Sequence, residues 1–173
     1  MTHPLVGQLR FTRGEFIRAV KGVSDEDGRK RFLPMNCLAW NVGHLAWQEQ
    51  RYFLAYGSAQ RLLLPEIDRE FTYGAPGSTP ALKAMLAAWK TITAAADPWL
   101  ETLTTEMLTQ NVISNGQPLA RTYGNLLQRV IYHYWYHTGE NMAVRQLLGH
   151  ERLPVFVGNI DDKAPYRPER KTE

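Results

Sequence analysis

The sequence predicts an all-α fold, a four-helix up-down bundle with connecting loops long enough to supply a crossover. Three observations predict it. Four stretches, at residues 4–22, 36–56, 79–100 and 122–148, place apolar residues three and four apart, the repeat of a helix with one buried face. Each is bounded by residue types that start or stop helices. Between them lies one short strand-like stretch, 111–121, too small to be an independent sheet. A chain of 173 residues can bury the core of one such domain.

The first helix follows from Leu5, Leu9, Phe16, Val20 and Val23, with Pro4 in its first turn and Gly22 at its end. Residues 24–34 are charged and aperiodic, a loop with a short helical turn at 25–28. The second helix has Asn36 as its N-cap and Gly57 as its stop. Trp40, His44 and Trp47 share one of its faces, and Gln48 and Arg51 continue that face. Residues 58–77 read as a loop punctuated by Pro65, Gly74, Pro76 and Gly77, and loops of this length often carry function. The third helix opens with Thr79 as cap and Pro80 in its first turn, and Leu82, Met85, Leu86, Trp89, Ile92, Ala96 and Leu100 form its stripe. Asp97-Pro98 predicts a kink or an end near Ala96. Asn115-Gly116 predicts a tight turn within 111–121. Thr122 caps the fourth helix and Gly149 ends it. Residues 1–150 therefore form the helical domain. Residues 151–173 form a tail whose Val155, Phe156 and Val157 pack on the bundle and whose last ten residues fray.

The apolar fraction of 44% and charged fraction of 21% are those of an ordinary globular protein. A net charge of +3 is scattered, and neither Arg29-Lys30-Arg31 nor the basic residues of the tail interleave with aromatics, which argues against nucleic acid as a partner. One cysteine, Cys37, permits no disulfide within the chain and fits a reducing, cytoplasmic setting. Its place beside Leu38 at the start of a helix reads as core packing. The chain shows no secretory leader pattern and no run approaching the ~18 apolar residues of a membrane span.

The chemistry concentrates in the fourth helix. His133 and His137, four residues apart, project from one face together with Leu126, Val130, Glu140, Val144 and Leu148. That stripe faces the core, where two imidazoles and a carboxylate need partners. A metal ion completed by a ligand from another helix satisfies them all, and His44, bracketed by Trp40 and Trp47, is the candidate third ligand. Three imidazoles leave a coordination position open, the pattern of a catalytic site. Three-nitrogen ligation suits zinc, and nickel, copper and iron also accept it. Glu140 either orients an imidazole, acts as the catalytic proton acceptor, or pairs with Arg145 or Tyr136. Asn41 and Gln48 are further candidates for orienting the ligands. His3 and His150 read as surface residues.

Two stretches carry a resemblance. NCLAWNVGHLAWQE resembles the first motif of the DinB-like (DinB/YfiT) superfamily, with a tryptophan four residues before a histidine. RVIYHYWYHTGENMAVRQLLG resembles its second, with two histidines four apart, then Gly-Glu, an arginine and a glycine. The resemblance implies a four-helix bundle, a divalent metal on His44, His133 and His137, and a tendency to form homodimers. It also implies, from similar proteins, a transferase that joins a low-molecular-weight thiol to a small electrophile. A metal-dependent hydrolase and a non-enzymatic, metal-stabilised binding protein are the competing expectations.

Overall fold

A computed structural model of the chain describes residues 2–167. Four long helices carry the fold: α1 (Pro4–Val20), α3 (Leu38–Glu49), α5 (Leu82–Leu100) and α7 (Tyr123–Leu147). A π-helical stretch, Gln50–Gly57, continues α3. Shorter helices α2 (Asp25–Arg29), α4 (Pro65–Phe71), α6 (Thr105–Thr109) and α8 (Ile160–Lys163) occupy connections and tail. Strands β1 (Asn111–Ser114) and β2 (Gln117–Thr122) form an antiparallel hairpin. No helix among the described residues is long and apolar enough to cross a membrane.

Side-chain pairs give the helix directions. A Cβ on Gly43 would lie 2.9 Å from Met85 Sδ, and one on Gly57 2.7 Å from the Trp99 indole, so α3 and its continuation run parallel to α5. Arg13 pairs with Asp97 and Arg10 with Glu101, which makes α1 antiparallel to α5. Asn41 meets Asn141 and Gln48 meets His133, so α3 and α7 are antiparallel. Phe11 packs on Trp135 and Arg145 reaches the Ala19 carbonyl, so α1 and α7 are parallel. The four long helices therefore run up, down, down, up, and the crossover is the long connection between α3 and α5. Leu9, Phe16, Leu38, Leu45, Phe53, Ile92, Leu126 and Tyr134 are the buried centre.

Most helix ends agree with the sequence reading, and the exceptions have physical causes. Pro4 opens α1, with His3 Nδ1 accepting from the Leu5 N–H at 3.1 Å. Thr122 Oγ1 accepts from the Asn125 N–H, and Gly149 takes φ +76° after α7. Asn115 (φ 51°) and Gly116 (φ 74°) form the turn of the hairpin. The N-cap of α3 is Cys37 and not Asn36. The Cys37 thiol donates to the Ser78 carbonyl and is fully buried. α5 begins at Leu82, not at Thr79-Pro80, because the Leu82 N–H is capped from a distance by Asp25 Oδ1 of α2 at 2.7 Å. It runs through Pro98 to Leu100. The proline lies two residues from the end, so its missing N–H and the crowding of its ring disturb only the last turn. The expected loop 58–77 contains α4, which starts at Pro65, carries Glu66 and Asp68 in its first turn and buries Ile67 and Phe71.

The tail docks through Phe156, whose ring packs on Trp135 and beneath the Arg18 guanidinium. Val155 and Val157 are exposed, contrary to the expectation that they pack. The expected fraying of the last ten residues falls mainly on 168–173, outside the described residues.

One polar network ties all four long helices together. Arg13 of α1 grips both carboxylate oxygens of Glu49 at the end of α3 and donates to Asp97 of α5 at 2.8 Å. Tyr134 of α7 donates to Glu49 Oε1 at 2.6 Å and accepts from the Trp89 indole of α5 at 2.6 Å. Glu49 and Tyr134 are completely buried. Burial and the neighbouring carboxylate push the Tyr134 phenol well above its ordinary pKa, so it stays a donor.

Candidate metal centre

Glu49 and Tyr134 directly follow Gln48 and His133, so the same antiparallel contact of α3 and α7 builds the site. It brings His44, His133 and His137 together, with one ring nitrogen of each within 4.8 Å of the others. His133 and His137 are one α7 turn apart, with ring centroids at 4.5 Å. His44 stands edge-on to both, at 4.9 and 5.4 Å. Trp40 and Trp47, four residues before and three after His44, stack on its two faces at 4.8 and 5.1 Å. The Trp47 indole is held by Asp68 of α4.

Each imidazole is committed on its Nδ1 side. His44 Nδ1 lies 2.6 Å from the Phe71 carbonyl, which can only accept. His133 Nδ1 lies 2.9 Å from Gln48 Oε1, and His137 Nδ1 lies 2.7 Å from Glu140 Oε2. All three Nδ1 atoms therefore carry the proton, and all three Nε2 atoms present lone pairs. The Nε2 atoms of His133 and His137 are 3.0 Å apart, a repulsive approach for two lone pairs. A bridging proton would relieve two of the three rings. A divalent cation relieves all three, and the donor set fits it. The cluster can hold a metal.

Electrostatics keep the His44 and His133 rings neutral. Burial pushes His44 down to about 4, against the Phe71 bond that favours its charged form. Burial, then the neighbouring His137 and His44, push His133 down to about 3. Both values lie below the roughly 6.5 of an unfolded histidine. The folded chain refuses protons that the unfolded chain accepts between pH 6.5 and 3–4. These groups therefore support the fold fully above about 6.5 and withdraw support as pH falls. Chelated protein should melt progressively lower from pH 7 to pH 4.5, as read by circular dichroism. A constant melting temperature over that interval would contradict these assignments.

Glu140 lies against the cluster. It binds His137 and accepts from Asn41 Nδ2 at 3.0 Å. It does not pair with Arg145, which bonds the Ala19 carbonyl and His150. Asn41 in turn donates to Asn141. His3 and His150 are half-buried and serve as helix cap and link between α7 and α2, not as ligands. The Phe71 carbonyl is the contributor that sequence reasoning missed. Its signal was Pro65 followed by two acidic residues, the opening of a short helix. A cavity of about 490 Å³ lies elsewhere, near the starts of α1 and α7, and no histidine of the cluster lines it.

The family model described as the DinB superfamily matches residues 8–140, well over half of the chain and all three histidines. The chain belongs to the DinB superfamily. None of the curated proteins compared with it matches. The histidine centre of this DinB-superfamily chain thus rests on its own geometry.

Proposed function

We propose that the protein is a divalent-metal enzyme that joins a low-molecular-weight thiol to a small electrophile, with His44, His133 and His137 as ligands. The observation that carries the reading is the convergence of three Nε2 lone pairs whose Nδ1 sides are already committed. Zinc, nickel or iron suits such a set, which leaves a coordination position for substrate. A divalent cation bound there supplies Lewis acidity, which at neutral pH favours the deprotonated form of a thiol or a water beside it.

The chain's own residues do the rest. Trp40 and Trp47 clamp His44 and keep water off its ring. Phe71, Gln48 and Glu140 hold the three tautomers. Glu140 uses Oε2 for both of its hydrogen bonds, so Oε1 is available to accept the thiol proton while His137 stays oriented. A sulfur nucleophile needs one proton acceptor, and Glu140 is the carboxylate that touches the cluster. This favours thiol transfer over hydrolysis.

The test is to incubate metal-reloaded protein with a chlorodinitrobenzene and a panel of small thiols. Thioether should form above the uncatalysed rate, disappear on chelation, and fall about 10- to 100-fold in Glu140→Gln. Attack by water in place of thiol would select a hydrolase. No turnover, together with a metal-dependent rise in melting temperature, would make the metal a clasp between α3 and α7.

A further inference from the structure

One helical turn beyond Gln48 and His133, the two helices that build the centre carry Arg51 and Arg129. Arg51 follows His44 by seven residues and Arg129 precedes His133 by four, so each lies on the face that bears a histidine. The separations along the axes are roughly 10 and 6 Å. The Arg51 guanidinium stands 6.0 Å from the Trp47 ring and 5.7 Å from the Tyr56 ring, and its Nε donates to the Tyr56 hydroxyl at 3.1 Å. It therefore extends the Trp40–His44–Trp47 stack toward solvent, with its Nη groups uncommitted among the described residues. Arg129 is exposed, and its charge reaches His133.

Neither cation pairs with a carboxylate among the described residues, whereas Arg10, Arg13 and Arg18 all do. The acidic groups nearby are engaged: Asp68 with the Trp47 indole, Glu140 with His137 and Asn41, Glu49 with Arg13 and Tyr134. Arg51 also sits on the π-helical stretch, and such insertions recur at functional sites because they re-aim side chains. Two guanidinium groups without protein anions among the described residues, flanking the histidine centre, make an electropositive edge. The planar fork of arginine matches a carboxylate.

We propose that Arg51 and Arg129 form the anion-binding edge of the histidine centre, and that the small molecule taken there carries a carboxylate about one to two helical turns from the atom held at the imidazoles. This rests on the reading of the three histidines as a metal centre that takes a thiol. It adds the class of that thiol: acidic, with its carboxylate at a distance from sulfur.

The test is calorimetric binding of mercaptohexanoate and mercaptohexanol to zinc-loaded protein at low salt. The acid should bind about tenfold more tightly than the alcohol. High salt should erode the preference. In Arg51→Gln/Arg129→Gln the preference should fall to about twofold or less, with alcohol affinity and zinc content unchanged. Arg129→Gln alone, at an exposed position that leaves the core intact, should lose part of it. If both thiols bind in a zinc-dependent way with equal affinity, or if the double variant keeps the preference, the anion edge is wrong and the metal reading stands. If neither thiol binds more tightly after zinc loading, the reading of the centre as one that takes a thiol fails and this proposal fails with it.

Discussion

Replacing His137 with alanine should reduce a bound divalent ion, one per chain in the wild type, to a weakly held one, and should abolish the effect of chelation on melting. His137 is buried between His133, His44 and Glu140, and its loss removes one of three donors and the partner of the carboxylate. A ligand present at about 100–1,000 times its Kd stabilises a fold by roughly 3–4 kcal/mol. In a protein of this size that corresponds to about 5–15 °C. Wild type should lose that much on chelation, and His137→Ala almost nothing. His150→Ala is the control, because His150 contacts Arg145 and Asp27 away from the cluster. It should keep both metal and chelator response. Full metal content in His137→Ala, or an equal loss in His150→Ala, would show that the ligand assignment is wrong.

The second large effect is expected at Arg13. Arg13→Met leaves the completely buried Glu49 without its cation, and breaking a buried pair from one side costs about 3–5 kcal/mol. The melting temperature should fall by roughly 6–20 °C. Arg13→Met/Glu49→Met, which removes both charges, should recover much of the loss, because well-packed apolar side chains can replace a buried pair at little cost. The Tyr134 hydroxyl loses its acceptor in that double variant, so the recovery stays incomplete. A cost below about 1 kcal/mol for Arg13→Met, measured by urea unfolding, would mean that Glu49 is protonated or hydrated in the core. The network abuts the metal centre, so loss of Arg13 should also weaken metal binding.

The helices were legible because each announces itself locally. The stripes of α1, α5 and α7, the Thr122 cap, the Gly149 stop and the Asn115-Gly116 turn are all short-range signals, and the structure agrees with them. The histidines were legible for the same reason. Two share a helical face, and the third sits between two tryptophans on another. What local pattern could not reveal was set by distant partners. Asp25 caps Leu82 across 57 positions and moves the start of α5, and the Phe71 carbonyl that orients His44 comes from a connection read as loop. Nothing local in the sequence marks Arg13 or Glu49, and only the packing of α1 against α3 makes them a pair. The running direction of α5 was likewise invisible, since a stripe of apolar residues is the same read up or down.

The most direct measurement of the central claim is the nitrogen NMR spectrum of the histidine rings before and after one equivalent of zinc. Without metal, His44, His133 and His137 should all show the Nδ1–H tautomer at neutral pH. On adding zinc, their three Nε2 resonances should shift together and saturate at one ion per chain, while His3 and His150 stay in place. A cluster histidine found as the Nε2–H tautomer, or one whose Nε2 does not respond to zinc, would contradict the three-histidine centre.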